Sequence, residues 1–143
     1  MIELYSKVEP GRLLHVVKRL YDVERQVGFR EDILDADNFI QCSSLKMDRG
    51  KTFKPHKHVY KEVSYPKCIA QESWVVIRGS VRCIFYDLDD TILDDVFLAH
   101  GDTSFTLAGG HTYVILEDDT IVYEYKTGPY EGQERDKAFI DEK

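Results

Sequence analysis

The chain has 143 residues, 43% of them hydrophobic and 31% charged, with a formal net charge of −7. That length suits one domain, spanning residues 1–143, with room for one sizeable core. The acidic balance argues against a nucleic-acid partner, which selects a basic face, and no apolar stretch approaches the roughly 18 residues a membrane-spanning helix needs.

The N-terminal residues lack the basic and apolar regions of a signal peptide. Cys42, Cys68 and Cys83 are an odd number without close pairing, so the sequence predicts free thiols in a reducing, cytoplasmic setting. Cys42 and Cys83 lie in apolar runs and read as buried. Cys68, in a loop-like stretch, is the candidate reactive thiol.

In chain order, residues 13–17 form an apolar, strand-like run that contains His15, and 22–27 reads as a short helix. Residues 39–47 predict a strand ended by Asp48, Arg49 and Gly50. The runs 73–77 and 81–86 are rich in β-branched and aromatic residues, and Arg78, Gly79 and Ser80 between them signal a hairpin. Asp87, Asp89 and Asp90 make an acidic turn before 91–98, and a short strand follows at 105–107. Gly109 and Gly110 mark another turn. Residues 113–116 and 120–125 predict a second hairpin around Glu117, Asp118 and Asp119, and 134–139 predicts a last helical piece. Many short strands divided by turns predict an all-β sandwich or barrel.

Gly50, His56 and His58 stand out within this frame. In an extended strand, residues i and i+2 share a face, so the two imidazoles would converge on one point, as a divalent metal or a polar substrate requires. Glu72 follows, and Gly79 comes seven positions later. A second block runs from Gly101 and Asp102 to Gly109, Gly110 and His111. Imidazole and carboxylate donors together suit several transition metals. The Lys54, Lys57 and Lys61 cluster reads first as a solvated edge; gathered inside one cleft, it would invert the sign locally and admit an anionic substrate. His15 and His100 read as structural, and Arg78 and Arg82 as surface residues.

The two blocks resemble those of the cupin superfamily, over roughly residues 39–126. The resemblance implies an all-β jelly-roll barrel. It also implies one divalent transition metal (zinc, iron, manganese or nickel) bound by His56, His58, Glu72 and His111. In this chain thirteen residues separate His58 from Glu72, so 59–70 reads as an inserted loop. Gly109, Gly110 and His111, then Leu116, Glu117 and Asp118, then the ending from Glu124 to Tyr130, are similar to a group of small single-domain cupins associated with surface-polysaccharide and nucleotide-sugar pathways.

That likeness implies a sugar isomerase or epimerase in which a metal polarises a carbonyl while His111 or Tyr113 moves a proton. Similar sugar ketoisomerases and epimerases of this barrel need no metal and use histidines as acid and base. Alternation puts Trp74 on the face of Glu72, and Tyr123 and Tyr125 on one face of the last strand. With Lys54, these aromatics are the expected substrate-binding residues, their rings stacking on a sugar. An iron-dependent dioxygenase and a non-catalytic sugar-binding module are the alternatives. A homodimer pairing through residues 13–17 is the expected assembly.

Overall fold

The computed structural model describes residues 1–62, 69–130 and 132–140. Ten strands account for most of the ordered backbone. They are β1 (Ile2–Tyr5), β2 (Leu13–Lys18), β3 (Arg30–Asp32), β4 (Ser43–Leu45), β5 (Glu72–Arg78), β6 (Val81–Tyr86), β7 (Ile92–Leu98), β8 (Thr103–Thr106), β9 (Gly110–Ile115) and β10 (Ile121–Lys126). Two short helices, α1 (Leu20–Arg25) and α2 (Gln133–Asp136), complete the set.

Every strand pair is antiparallel. One sheet has the order β1-β2-β8-β5-β10, a second has the order β7-β6-β9, and β3 pairs with β4 alone. The all-β expectation holds. Hydrogen bonding among the described residues leaves these as separate sheets and does not close them into a barrel.

Alternation explains the layering. On β6, Val81, Cys83 and Phe85 are buried while Arg82, Ile84 and Tyr86 are less so, the period-2 pattern of a strand with one inward face. Those three residues join Val17, Val76, Val96 and Leu98 in the core between the two larger sheets, with Trp74, Tyr113 and Val122 packed against it. Strand β2 is different, because it is buried on both faces. Val17 faces that core, whereas Val16 joins Ile33, Leu34, Phe105 and Leu107 in a second cluster on the opposite side of the sheet. Residues 33–42, which lead into β4, cover that second cluster.

Three expectations change here. The two expected hairpins at Gly79 and at Asp119 are crossings between sheets, since β5 and β10 belong to one sheet and β6 and β9 to the other. The two turns lie against each other: Gly79 adopts φ +80°, and a Cβ on it would sit 2.3 Å from Thr120 Oγ1. Only Ser43–Leu45 of the expected strand 39–47 is a strand, because the preceding backbone bonds instead to Gln71 and Ile33. Residues 13–17, the expected dimer edge, form part of a central strand between β1 and β8, and the edges of that sheet are β1 and β10. No helix is long and apolar enough to cross a membrane among the described residues.

Candidate functional site

Register across the five-stranded sheet builds the site. Glu72 on β5 lies opposite Thr106 on β8, and Thr106 lies opposite His15 on β2. Paired residues of an antiparallel sheet point to the same side, so these three form a row on the face that looks at the second sheet. On that second sheet His111 lies opposite Phe85, an inward position of β6. His111 therefore reaches across the sandwich into the row.

Its ring makes two polar contacts there. Nδ1 lies 2.8 Å from Thr106 Oγ1, and Nε2 lies 3.1 Å from Glu72 Oε1. The pair is partly accessible, with 17% of the His111 side chain and 9% of the Glu72 side chain exposed. Lys137, just after α2, places Nζ 3.5 Å from Glu72 Oε2. Burial alone would raise the Glu72 carboxyl, but the hydrogen bond and charge of His111, with those of Lys137, outweigh it and hold the group below its ordinary value. Glu72 is thus the charged, proton-accepting member of the cluster.

The next row carries the aromatic wall. Trp74 lies opposite Ser104 on β8, and Tyr113 is two residues beyond His111 on β9. The indole and phenol rings stack at 3.9 Å between centroids and 7° between planes. The Tyr113 hydroxyl lies 3.0 Å from Ser104 Oγ, and burial pushes its pKa well above its ordinary value. Tyr113 accordingly offers a flat surface and a fixed hydrogen bond, not a proton that is easily given up near neutral pH.

Two glycines make the approach of His111 possible. Gly109 has φ +76°, and a Cβ there would lie 2.5 Å from the Tyr86 carbonyl oxygen and 3.3 Å from His15 Nε2. Only a residue without a side chain fits that gap. Gly110 then enters β9 opposite Tyr86, which sets His111 facing inward.

Other expected site residues lie elsewhere. His56 and His58 are exposed in an irregular segment rather than on a strand. Their rings meet edge to face at 5.4 Å, and His56 Nδ1 lies 2.9 Å from the carbonyl oxygen of Lys54, which is also exposed. Neither histidine joins Glu72 and His111. Among the described residues, no group of three or more histidine, cysteine, aspartate or glutamate side chains is placed to hold a metal ion. Both ring nitrogens of His111 and both oxygens of Glu72 already face protein partners. Among the described residues, the four ligands that the resemblance implies are therefore not gathered at one point: Glu72 meets His111, and His56 and His58 lie apart from them.

Tyr123 and Tyr125 lie opposite Val75 and Ser73, on the face of the sheet away from Glu72 and Trp74. Both are more than half exposed. Tyr125 lines a separate cavity of about 310 Å³ with Ile40, Cys42, Val75 and Phe105. Cys83 is buried as expected, Cys42 is half-buried, and Cys68 lies outside the described residues.

Sequence reasoning missed Thr106 and Lys137 and classed His15 as merely structural. Alternation could have placed His15 and Val17 on one face, but nothing local tells which distant strand lies beside them. Comparison with protein-family models, curated proteins and solved structures finds no match for this chain.

Proposed function

We propose that this chain is a sugar isomerase or epimerase of the cupin jelly-roll type, acting on a carbohydrate or nucleotide-sugar by proton transfer at Glu72 and His111. The observation that carries this reading is the 3.1 Å contact between His111 Nε2 and Glu72 Oε1, bridging the two sheets beside a stacked aromatic pair. A carboxylate and an imidazole in hydrogen-bond contact form an acid–base pair of the kind such chemistry needs. The metal-independent version is favoured because, among the described residues, the side chains assemble an acid–base pair and not a four-ligand set.

In this scheme Glu72 removes the proton from the carbon next to a sugar carbonyl. His111 donates its Nε2 proton to the carbonyl oxygen, giving an enediol. Delivering that proton from Glu72 to the carbon that had carried the carbonyl, while His111 Nε2 takes the proton from the hydroxyl of the neighbouring carbon, isomerises the sugar. Returning the carbon proton to the opposite face of the same carbon, while His111 takes back the proton it gave to oxygen, would epimerise it. Lys137 keeps Glu72 in the carboxylate form that accepts the proton, and Trp74 supplies an apolar surface for a sugar face.

The test is wash-in of solvent deuterium into free ketoses and nucleotide-linked keto-sugars, followed by proton NMR with chelator-treated protein. Exchange at the carbon next to the carbonyl is expected. Exchange that appears only when a divalent metal is restored would sink the metal-independent reading.

A further inference from the structure

We infer that His15, acting through Thr106, is a positioning residue that fixes a proton on Nδ1 of His111 and leaves Nε2 as the nitrogen that exchanges protons with Glu72 and substrate. This rests on the proton-transfer reading above and adds to it a device made from a fully buried histidine outside the reacting pair.

The inference follows from the direction of three hydrogen bonds. His15 Nε2 lies 2.9 Å from the Tyr86 carbonyl oxygen, which can only accept, so Nε2 of His15 carries hydrogen. The His15 ring is 0% exposed and, among the described residues, has no carboxylate in hydrogen-bond contact; both ring nitrogens face neutral partners, so it is neutral and its Nδ1 carries a lone pair. Burial indeed lowers its pKa from 6.5 to about 4, against the opposing pull of the Tyr86 carbonyl.

The Thr106 hydroxyl, 3.1 Å from that Nδ1, must then donate its single hydrogen to His15. Its oxygen is left to accept, and the group beside it is His111 Nδ1 at 2.8 Å. The chain therefore requires Nδ1–H on His111. Running it the other way would put a second proton on His15 and bury an uncompensated cation. Gly109 protects the origin of the chain, since any Cβ there would collide with the Tyr86 carbonyl.

The functional consequence is a choice between tautomers. The hydrogen-bond partner of one ring nitrogen sets the state of the other. With Nδ1 committed to Thr106, the proton that His111 gives and takes back is the one on Nε2, which faces Glu72. Without Thr106, that commitment is gone.

The experiment uses the full chain labelled with ¹⁵N-histidine, in a Glu72→Gln background. There the amide of the new side chain can donate to Nε2 or accept from it, so Thr106 alone decides the tautomer. Long-range proton–nitrogen spectra, assigned with His111→Gln, are expected to show His111 protonated at Nδ1. Adding Thr106→Val should move the proton towards Nε2, and Thr106→Ser, which keeps the hydroxyl, should leave it on Nδ1.

With Glu72 restored, Thr106→Val should lower kcat for deuterium exchange at least about tenfold, part of the roughly 10²–10⁴ that a positioned proton-transfer group supplies, with little change in KM. Finding His111 protonated at Nε2 in Glu72→Gln, or unmoved by Thr106→Val, overturns the inference. If Thr106→Val does not fold, the tautomer in Glu72→Gln alone decides. If the tautomers come out as expected while no sugar exchanges deuterium, the positioning role stands and the isomerase reading fails.

Discussion

His15 shows how a single buried ring ties stability to pH. Its folded pKa of about 4 lies below the ordinary 6.5 because burial penalises the charged form. The stability contributed by keeping it neutral is fully present above pH 6.5 and is lost as pH falls through 6.5 towards 4, at up to ~1.4 kcal/mol per pH unit. His111 and Asp87 act on it with opposite signs, and neither removes the effect. A His15→Gln variant keeps an N–H for the Tyr86 carbonyl but cannot titrate. Melting temperatures measured from pH 7 to 4 should therefore fall less for the variant than for the wild type; parallel curves would contradict the assignment. Glu72 and His111 were legible at this scale through block spacing, Glu72 standing seven residues before Gly79 and His111 directly after Gly109 and Gly110. The third member of the network was not, since Thr106 meets His15 across 91 residues of sequence. Tyr113 was found for its place beside His111, yet its phenol turns to Ser104, a partner that only tertiary packing supplies.

Among elements, the turns carry the most instructive differences. Arg78, Gly79 and Ser80 were read as a hairpin because a positive-φ glycine between two apolar runs favours one. The same glycine serves a crossing between sheets, where its missing side chain makes room for Thr120. Local turn chemistry fixes that the chain reverses, not which strands it then pairs. Strands β1 and β3 escaped notice because they are only four and three residues long. The Gly109–Gly110 pair divides cleanly by mechanism. Gly109→Ala combines a positive φ with a Cβ 2.5 Å from backbone, which nothing can relieve without moving β6. Gly110→Ala collides with the Cδ1 end of Ile140, which can shift, and meets Tyr86 Cβ at 3.4 Å, an ordinary contact. Urea denaturation should show Gly109→Ala destabilised by about 2 kcal/mol or more and Gly110→Ala by clearly less. Equal losses would mean that the tight approach to Tyr86 is not what holds this turn.

For the whole molecule, the two sheets form a sandwich whose facing walls bring an acid–base pair and an aromatic stack together. The all-β class was readable from spaced, alternating strands. The sheet assignment was not, because pairing between distant strands leaves no local trace. The same limit separates the two halves of the expected site: His56 and His58 were placed with Glu72 by motif spacing, whereas the fold joins Glu72 to His111, Thr106 and Lys137. Solvent-deuterium wash-in on a responsive keto-sugar tests this division most directly, with Glu72→Gln and His111→Gln compared against the double variant His56→Ala, His58→Ala. The account predicts that each of the first two loses about 10²-fold or more in rate, while the double variant stays within a few-fold of the wild type. Loss of exchange in the double variant, with Glu72→Gln and His111→Gln still active, would contradict it and move the chemistry to the histidine pair.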